Sequence, residues 1–316
     1  MKSFFKTFLV AFLIFSIIAG GIVTFILKNE DSENTFVSNI SNLIGGGNDK
    51  EKDITFLLLG IDSQDVSKAK GQRTDTMMLC RYDDTTGKIS ILSIPRDTLA
   101  TIRGRKNKEK INHAHAYGGP ELSVKAVKDL LGIELDYYVR VDYKIVSEVV
   151  DLIGGVEVDV PMDMKYSDPT ADPPLYIDLK KGKQVLDGDK ALQFLRFRKG
   201  YANQDLGRIE AQQQFMSSAI KKALNPVNIL KLPKFVNTYV KNVDTNIPLD
   251  TIAKFALKAK NVDTENIQMS ILPGESKYIG GVSYYVHDKE KTQEIVNSMF
   301  FEQNVVMKDG ENLNNN

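Results

Sequence analysis

Within the thirteen residues 196–208 the sequence places Arg196, Arg198 and Arg208, with Asp205 among them and Gln212 one helical turn further on. Guanidinium groups are permanent cations whose forked donors match phosphoryl oxygens, so three this close form either a solvated surface or a socket for an anion. Arg208 and Gln212 are four apart. On a helix over 205–224 they project from one face near its N-terminus, where the dipole favours an anion and Asp205 can act as N-cap. At LRFR (195–198) the geometry stays open: an extended chain turns Arg196 and Arg198 to one side, whereas a fraying helix end splays them by about 200°. Two acids and a further arginine lie at the ends of apolar runs. Asp62 follows LLLGI, Asp75 opens the run TMMLC, and Arg96 leaves KISILSI at Pro95, which fixes the backbone there. Carboxyl ends of strands in open α/β sheets bind ligands, so these three can converge. Equally, Asp62 can be a turn residue, Asp75 a strand-entry cap, and each arginine a surface ion-pair partner.

A sheet must position these groups. The apolar runs at 54–61, 76–82 and 88–94 read as buried strands, with further strands at 137–142 and 155–160. Helical spacing marks 119–131, 143–153, 188–197, 205–224, 232–242, 249–260 and 288–300; Pro226 follows the fourth helix and Pro233 opens the fifth. Strands and helices interleave, which predicts an α/β/α sandwich with a central mixed β-sheet.

A hydrophobic content of 42% over 316 residues supports a sizeable core and excludes a disordered chain. Forty-one basic and forty-one acidic residues leave no net charge, so no global field gathers nucleic acid and any anion chemistry is local. Residues 8–27 carry no charge and at about 1.5 Å per residue span about 30 Å, the thickness of a bilayer core. This predicts an N-terminal transmembrane helix, since no A-x-A-like cleavage site of a signal peptide is found. Lys2 and Lys6 precede it, while Lys28, Glu30, Asp31 and Glu33 follow, which places the N-terminus in the cytoplasm and the rest outside the cell. The expected layout is a cytoplasmic start (1–7), the transmembrane helix (8–27), an extracellular stalk (28–52), a catalytic domain (53–305) and a disordered tail (306–316). The single Cys80 forms no internal disulfide and reads as core packing. Oligomeric state is not readable.

In order along the chain, GID (60–62), RTDTMM (73–78), SIPRDT (93–98), KINHAHAYGG (110–119), DYYVRVDY, DLIGGVEVDVP, LDGDKALQFLRFRK (186–199) and DLGRIEAQQ (205–213) resemble the LytR-CpsA-Psr family. Its members are membrane-anchored phosphotransferases of mainly Gram-positive bacteria, teichoic-acid ligases among them. They move an anionic glycopolymer from a polyprenyl-pyrophosphate carrier onto peptidoglycan, generally onto the C6 hydroxyl of N-acetylmuramic acid. By motif, the resemblance implies that Asp62 and Asp75 bind Mg²⁺. It likewise implies that Arg73, Arg96, Arg196, Arg198 and Arg208, with Gln212, hold the pyrophosphate. Ala211 departs from a RIxRQQ pattern common in relatives, which removes one cation.

That assignment is physically coherent. Carboxylates beside arginines would oppose an anion unless a hard cation sits between them, and Mg²⁺ is held by one or two carboxylates with phosphate oxygens and water completing its shell. Zinc is disfavoured, because His113, His115 and His287 are the only histidines and none has cysteine at ligand spacing. The expected step is in-line attack of a sugar hydroxyl on the polymer-linked phosphorus, with Asp62, Arg96 and Asp205 as catalytic candidates; either Asp62 or Asp205 can be the base. Two other classes remain open, a hydrolase acting on the same carrier and a non-catalytic envelope regulator or polymer binder. A lipid tail needs apolar walls, for which 54–59, 76–80, 89–94, Leu130, Leu131, Val149, Val150, Leu152, Ile153, Phe194 and Phe215 are candidates; an ordinary core explains the same residues. His113 and His115 suit either acid/base work or loop fixing. The basic run 103–110 suits either polymer contact or a solvated hairpin tip.

Overall fold

The structure, a computed structural model, describes residues 53–61, 71–170, 174–197, 200–201, 205–223, 243–248, 251–252, 255, 262 and 266–301. The expected transmembrane helix 8–27, the stalk 28–52, the helix 232–242, most of the helix 249–260 and the tail 306–316 lie outside the described residues. Among those described, no helix is long and apolar enough to cross a membrane.

In chain order the strands are β1 (Asp53–Ile61), β2 (Thr74–Asp83), β3 (Ile89–Ser93), β4 (Leu99–Ala100), β5 (Glu109–Lys110), β6 (Tyr137–Val141) and β7 (Val156–Val160). They continue with β8 (Met164–Asp168), β9 (Leu175–Leu179), β10 (Gly182–Leu186), β11 (Asp244–Thr245), β12 (Ile267–Ile271), β13 (Gly274–Ile279) and β14 (Val282–His287). The helices are α1 (His113–Leu131), α2 (Tyr143–Leu152), α3 (Gly188–Arg196), α4 (Asp205–Ala223) and α5 (Lys289–Val296), the last continuing as a π-turn over Asn297–Phe301.

Six strands form the central sheet in the order β11-β6-β1-β2-β3-β12. β1 runs parallel to β6 and β3 parallel to β12, while β2 lies antiparallel between β1 and β3. The carboxyl ends of β1, β3, β6 and β12 and the start of β2 therefore share one edge.

Burial on both faces explains the unbroken apolar runs of β1 to β3. On one face Phe56, Leu58, Met78, Cys80 and Ile91 pack with Val149 of α2, Phe194 of α3 and Phe215 of α4. On the other, Leu57, Leu59, Met77, Leu79 and Leu92 pack with Val127 and Leu131 of α1 and Val296 of α5. Each such side chain contributes about 2 kcal/mol on leaving water. Helices thus cover both faces of a mixed sheet, as expected. Cys80 is buried, and desolvation raises its thiol pKa, so it stays protonated packing. The candidate lipid walls divide between the two cores, odd and even positions of β1 and β2 facing opposite layers. One tube cannot be lined by all of them.

α1 begins earlier than its apolar spacing suggests. Its first turns cover the histidine segment, then the axis breaks at Gly118 (φ −150°) and Gly119 (φ 68°) before Pro120 restarts it. Gly119 is left-handed and Pro120 sits at a first helical position, where its missing N–H costs nothing. The hairpins β8–β9 and β13–β14 and the strands β10 and β12 were not expected. β13 and β14 are joined by Gly280 and Gly281, both at positive φ, the residue pair a tight hairpin turn favours.

Candidate active site

Asp75 is placed by a fault in the β1–β2 ladder. Gly60 pairs with Thr76 but Ile61 with Thr74, so Asp75 is the extra residue of a bulge at the shared edge. Bulges re-aim a side chain, here a carboxylate that is 1% exposed. Asp75 Oδ1 accepts from Arg96 Nη1 at 2.8 Å. Arg96 is fixed in turn: Thr98 N and Oγ1 both donate to Pro95 O, closing the turn after β3, and Asn112 N donates to Arg96 O. Two of the sequence-predicted residues, 21 positions apart, therefore meet, the acid deep and the cation half-buried.

Buried hydroxyls neighbour that pair along the chain, Thr74 and Thr76 on either side of Asp75 and Ser93 at the end of β3. Thr74 Oγ1, Thr76 Oγ1 and Ser93 Oγ, together with Arg96 Nε, have no hydrogen-bond partner among the described residues. Each such atom costs about 1–3 kcal/mol if left so, and concentrations of them mark places built to meet something else. Oxygen donors around a buried carboxylate suit a hard cation and phosphoryl groups rather than a soft metal. No cluster of three or more metal-ligating side chains occurs among the described residues.

The helix layer supplies Arg196, Arg208 and Gln212. α2 starts with Asp142 capping Ile145 N, and α3 with Asp187 capping Lys190 N. The two helices are locked where Gly188 N donates to Asp151 Oδ1 at 2.7 Å; a Cβ on Gly188 would stand 2.3 Å from Ser147 Oγ, so only glycine fits. Arg196, the last residue of α3, is 9% exposed, and Phe197 continues as extended chain. Gln212 of α4, fully buried, donates through Nε2 to Leu195 O at 3.2 Å, tying α4 to the end of α3 beside Arg196. The next residue, Gln213, donates to Ser270 O near the carboxyl end of β12. β12 ends in register with Ser93, so α4 is tied to the shared edge.

Arg208, only 2% exposed, is among the largest fully buried side chains. Its neighbour Gly207 packs where a Cβ would stand 2.8 Å from Tyr201 Cβ. Burial raises the Tyr201 phenol pKa, and the Arg208 charge partly offsets this. Ala211 is buried in the core, so it presents no polar group.

Arg73 is exposed just before β2, within electrostatic reach of Tyr117. Asp62 and Arg198 lie outside the described residues, as does the side chain of Asp205, whose backbone opens α4. The structure brings Asp75 and Arg96 together, and Gln212 ties the helix that bears Arg208 to the end of the helix that bears Arg196.

The sequence left His115 open between acid/base work and loop fixing and gave Arg140 no role. His115 Nδ1 lies 2.7 Å from Gln72 O and its Nε2 3.4 Å from Arg140 Nη1, while Arg140 Nη2 pairs with Asp244 Oδ2 at 2.7 Å. The signal available was an arginine inside an otherwise apolar strand, YYVRV. His113 instead lies with Tyr117 and Arg105 around Glu109, whose pKa falls to about 2 through the Tyr117 hydroxyl, His113 and Arg105. Arg105 also stacks over the Tyr117 ring, so part of the basic run is occupied locally.

Residues 23–300 match the model of the LytR_cpsA_psr family. A Staphylococcus aureus protein described as uncharacterised is 35% identical over 276 residues, covering 85% of this chain and 66% of its own length. The polyisoprenyl-teichoic acid–peptidoglycan teichoic acid transferase TagU of Bacillus cereus is 30% identical over 275 residues, covering 86% of this chain and 83% of its own. A solved structure of TagT bound to LIIa-WTA superposes with a TM-score of 0.61 at 30% identity, covering 79% of this chain and 91% of that one. A family match over most of the chain, relatives at this identity and a shared fold lead to one conclusion: the chain belongs to the LytR_cpsA_psr (LytR-CpsA-Psr) family.

Proposed function

We propose that the protein is a membrane-anchored, extracellular phosphotransferase that moves an anionic glycopolymer, teichoic acid or similar, from a polyprenyl-pyrophosphate carrier onto peptidoglycan. The observation that carries this reading is the Asp75–Arg96 pair buried at the sheet edge, with the flanking Thr74 and Thr76 hydroxyls buried and without a described partner. The name of TagU and the ligand of TagT favour the same substrate class.

A pyrophosphate diester carries about two negative charges, and Arg73, Arg96, Arg196, Arg198 and Arg208 are the cations to meet it, with Gln212 holding the helix pair that bears two of them. Such donors, fixed before the substrate arrives, stabilise charge as it develops without reorganising. The acceptor hydroxyl oxygen attacks the polymer-linked phosphorus and the bond from that phosphorus to the bridging oxygen breaks. Polyprenyl phosphate leaves with the bridging oxygen, and the hydroxyl proton passes to Asp62 or Asp205. A Mg²⁺ ion held by Asp75 and Asp62 would supply additional positive charge to the phosphoryl oxygens. Arg96, already hydrogen-bonded to Asp75, orients that carboxylate for the task.

The test incubates the full chain in detergent with a synthetic lipid-pyrophosphate-linked oligosaccharide, a muramyl acceptor and Mg²⁺. Transfer predicts an acceptor–phosphate–oligosaccharide adduct and polyprenyl phosphate in equal amounts, both lost on chelation. Polyprenyl phosphate formed equally without acceptor would establish a hydrolase, and no product with intact substrate would favour a non-catalytic binder.

A further inference from the structure

We infer that His115 is a positioning residue of the phosphate site, a neutral imidazole that holds the segment leading into Asp75 in place. The inference rests on the phosphotransferase reading for its kinetic consequence, though not for its geometry.

The chain enters β2 through Gly71, Gln72 and Arg73 at the sheet edge, and Asp75 stands in a bulge three residues after Gln72. From Thr74 onward β2 is fixed by its ladders with β1 and β3, with Asp75 alone left out of the pairing. Before it, Gln72 O is held by His115 Nδ1 at 2.7 Å. A carbonyl oxygen can only accept, so Nδ1 carries the hydrogen. Nε2 faces Arg140 Nη1 at 3.4 Å, and a guanidinium can only donate, so Nε2 is the acceptor and carries none. The two neighbours together select one neutral tautomer. A second proton would place an imidazolium against a guanidinium in a side chain only 1% exposed.

The support continues away from the site. Arg140 is held by Asp244 at 2.7 Å, and Asp244 pairs with Arg140 in the β11–β6 ladder. The ionisable groups acting on His115 are Arg140 of β6, Glu121 on the second segment of α1 and Asp244 of β11. The chain Asp244–Arg140–His115–Gln72 thus connects the far edge strand to the peptide that presents Arg73 and Asp75. The break at Gly118 and Gly119 frees the first turns of α1 to carry His115 in a direction of their own. Removing the imidazole would release Gln72 O and loosen the approach to Asp75 while leaving the carboxylate itself in place. The expected result is weaker substrate capture with the chemical step preserved.

Two measurements on the full chain decide this. The first is the long-range ¹H–¹⁵N spectrum of the histidine rings. It should show His115 protonated on Nδ1 alone at neutral pH, with the second proton taken up only below the ordinary range of a free histidine. Protonation on Nε2, or titration near the ordinary value of about 6.5, overturns the proposal. The second is transfer kinetics with a lipid-pyrophosphate-linked oligosaccharide. His115→Ala should raise KM about tenfold, the size of one lost neutral hydrogen bond, with kcat within about twofold. His115→Asn, whose amide nitrogen can take the place of Nδ1, should recover most of that loss, and His115→Gln should not. Equal kinetics for His115→Ala and the wild type, or no rescue by Asn over Gln, overturns the proposal. If the wild type shows no turnover, the transferase reading fails and the ring spectrum alone decides whether His115 holds Gln72.

Discussion

Replacing Arg96 with alanine tests how the site is held together before any substrate arrives. The Asp75 side chain is 2% exposed and its partner Arg96 16%, at 2.8 Å. Removing one member of a buried pair costs about 3–5 kcal/mol, because the remaining charge is stranded away from water. Arg96 retains some solvent contact, so the lower end applies, about 3 kcal/mol. In a domain of this size about 1 kcal/mol moves Tm by about 2–4 °C, so Arg96→Ala should lower Tm by about 6–12 °C without divalent ions. Asp75→Asn keeps an oxygen to accept from Arg96 and strands no anion, so it should cost about 1 kcal/mol. The double variant should resemble Asp75→Asn, leaving a coupling of about 3 kcal/mol. Thermal unfolding of the four proteins by circular dichroism measures this. An Arg96→Ala Tm within about 2 °C of wild type, or strictly additive losses, would refute the reasoning that the pair is buried and mutually dependent.

Three further outcomes are expected. Gly188→Ala should destabilise by at least about 2 kcal/mol in urea unfolding, since its Cβ would meet Ser147 Oγ at 2.3 Å and Ser147 O at 2.6 Å where α2 and α3 lock. Gln212→Ala should lose about 2 kcal/mol by the same assay, from the Leu195 bond and the emptied volume, and should raise KM for the lipid-linked substrate. His115 has a pKa lowered mainly by burial, so the unfolded chain takes up the proton first. The stability this group contributes is present above about pH 6.5 and is lost as pH falls below it; His115→Asn should flatten that part of a Tm–pH profile.

Much of the sheet was legible because burial on both faces demands unbroken apolar runs, and β1, β2 and β3 carry them. The later strands were less visible. β13 is exposed at every position and β8 and β9 alternate with polar residues, so neither has the composition of a buried run. The Gly280–Gly281 turn was the available signal for the β13–β14 hairpin. Asp75 and Arg96 were legible as groups at element ends, and their contact follows from β2 and β3 being neighbours. Loop fixing was one of two readings open for His115, but its partners were not legible, because they are a backbone carbonyl 43 residues away and an arginine on β6, contacts that leave no local pattern. The α1 break likewise depends on a tertiary demand, though Gly118, Gly119 and Pro120 together spell it.

The account stands on Arg96 and Arg208 serving one diphosphate. The most direct measurement is a crystal structure of the protein with a short-chain polyprenyl-pyrophosphate sugar and Mn²⁺ in place of Mg²⁺. The diphosphate should lie within hydrogen-bond distance of both guanidinium groups, with the anomalous peak of the metal at the Asp75 carboxylate. Diphosphate density elsewhere on the molecule, or bound by neither arginine, would contradict the account.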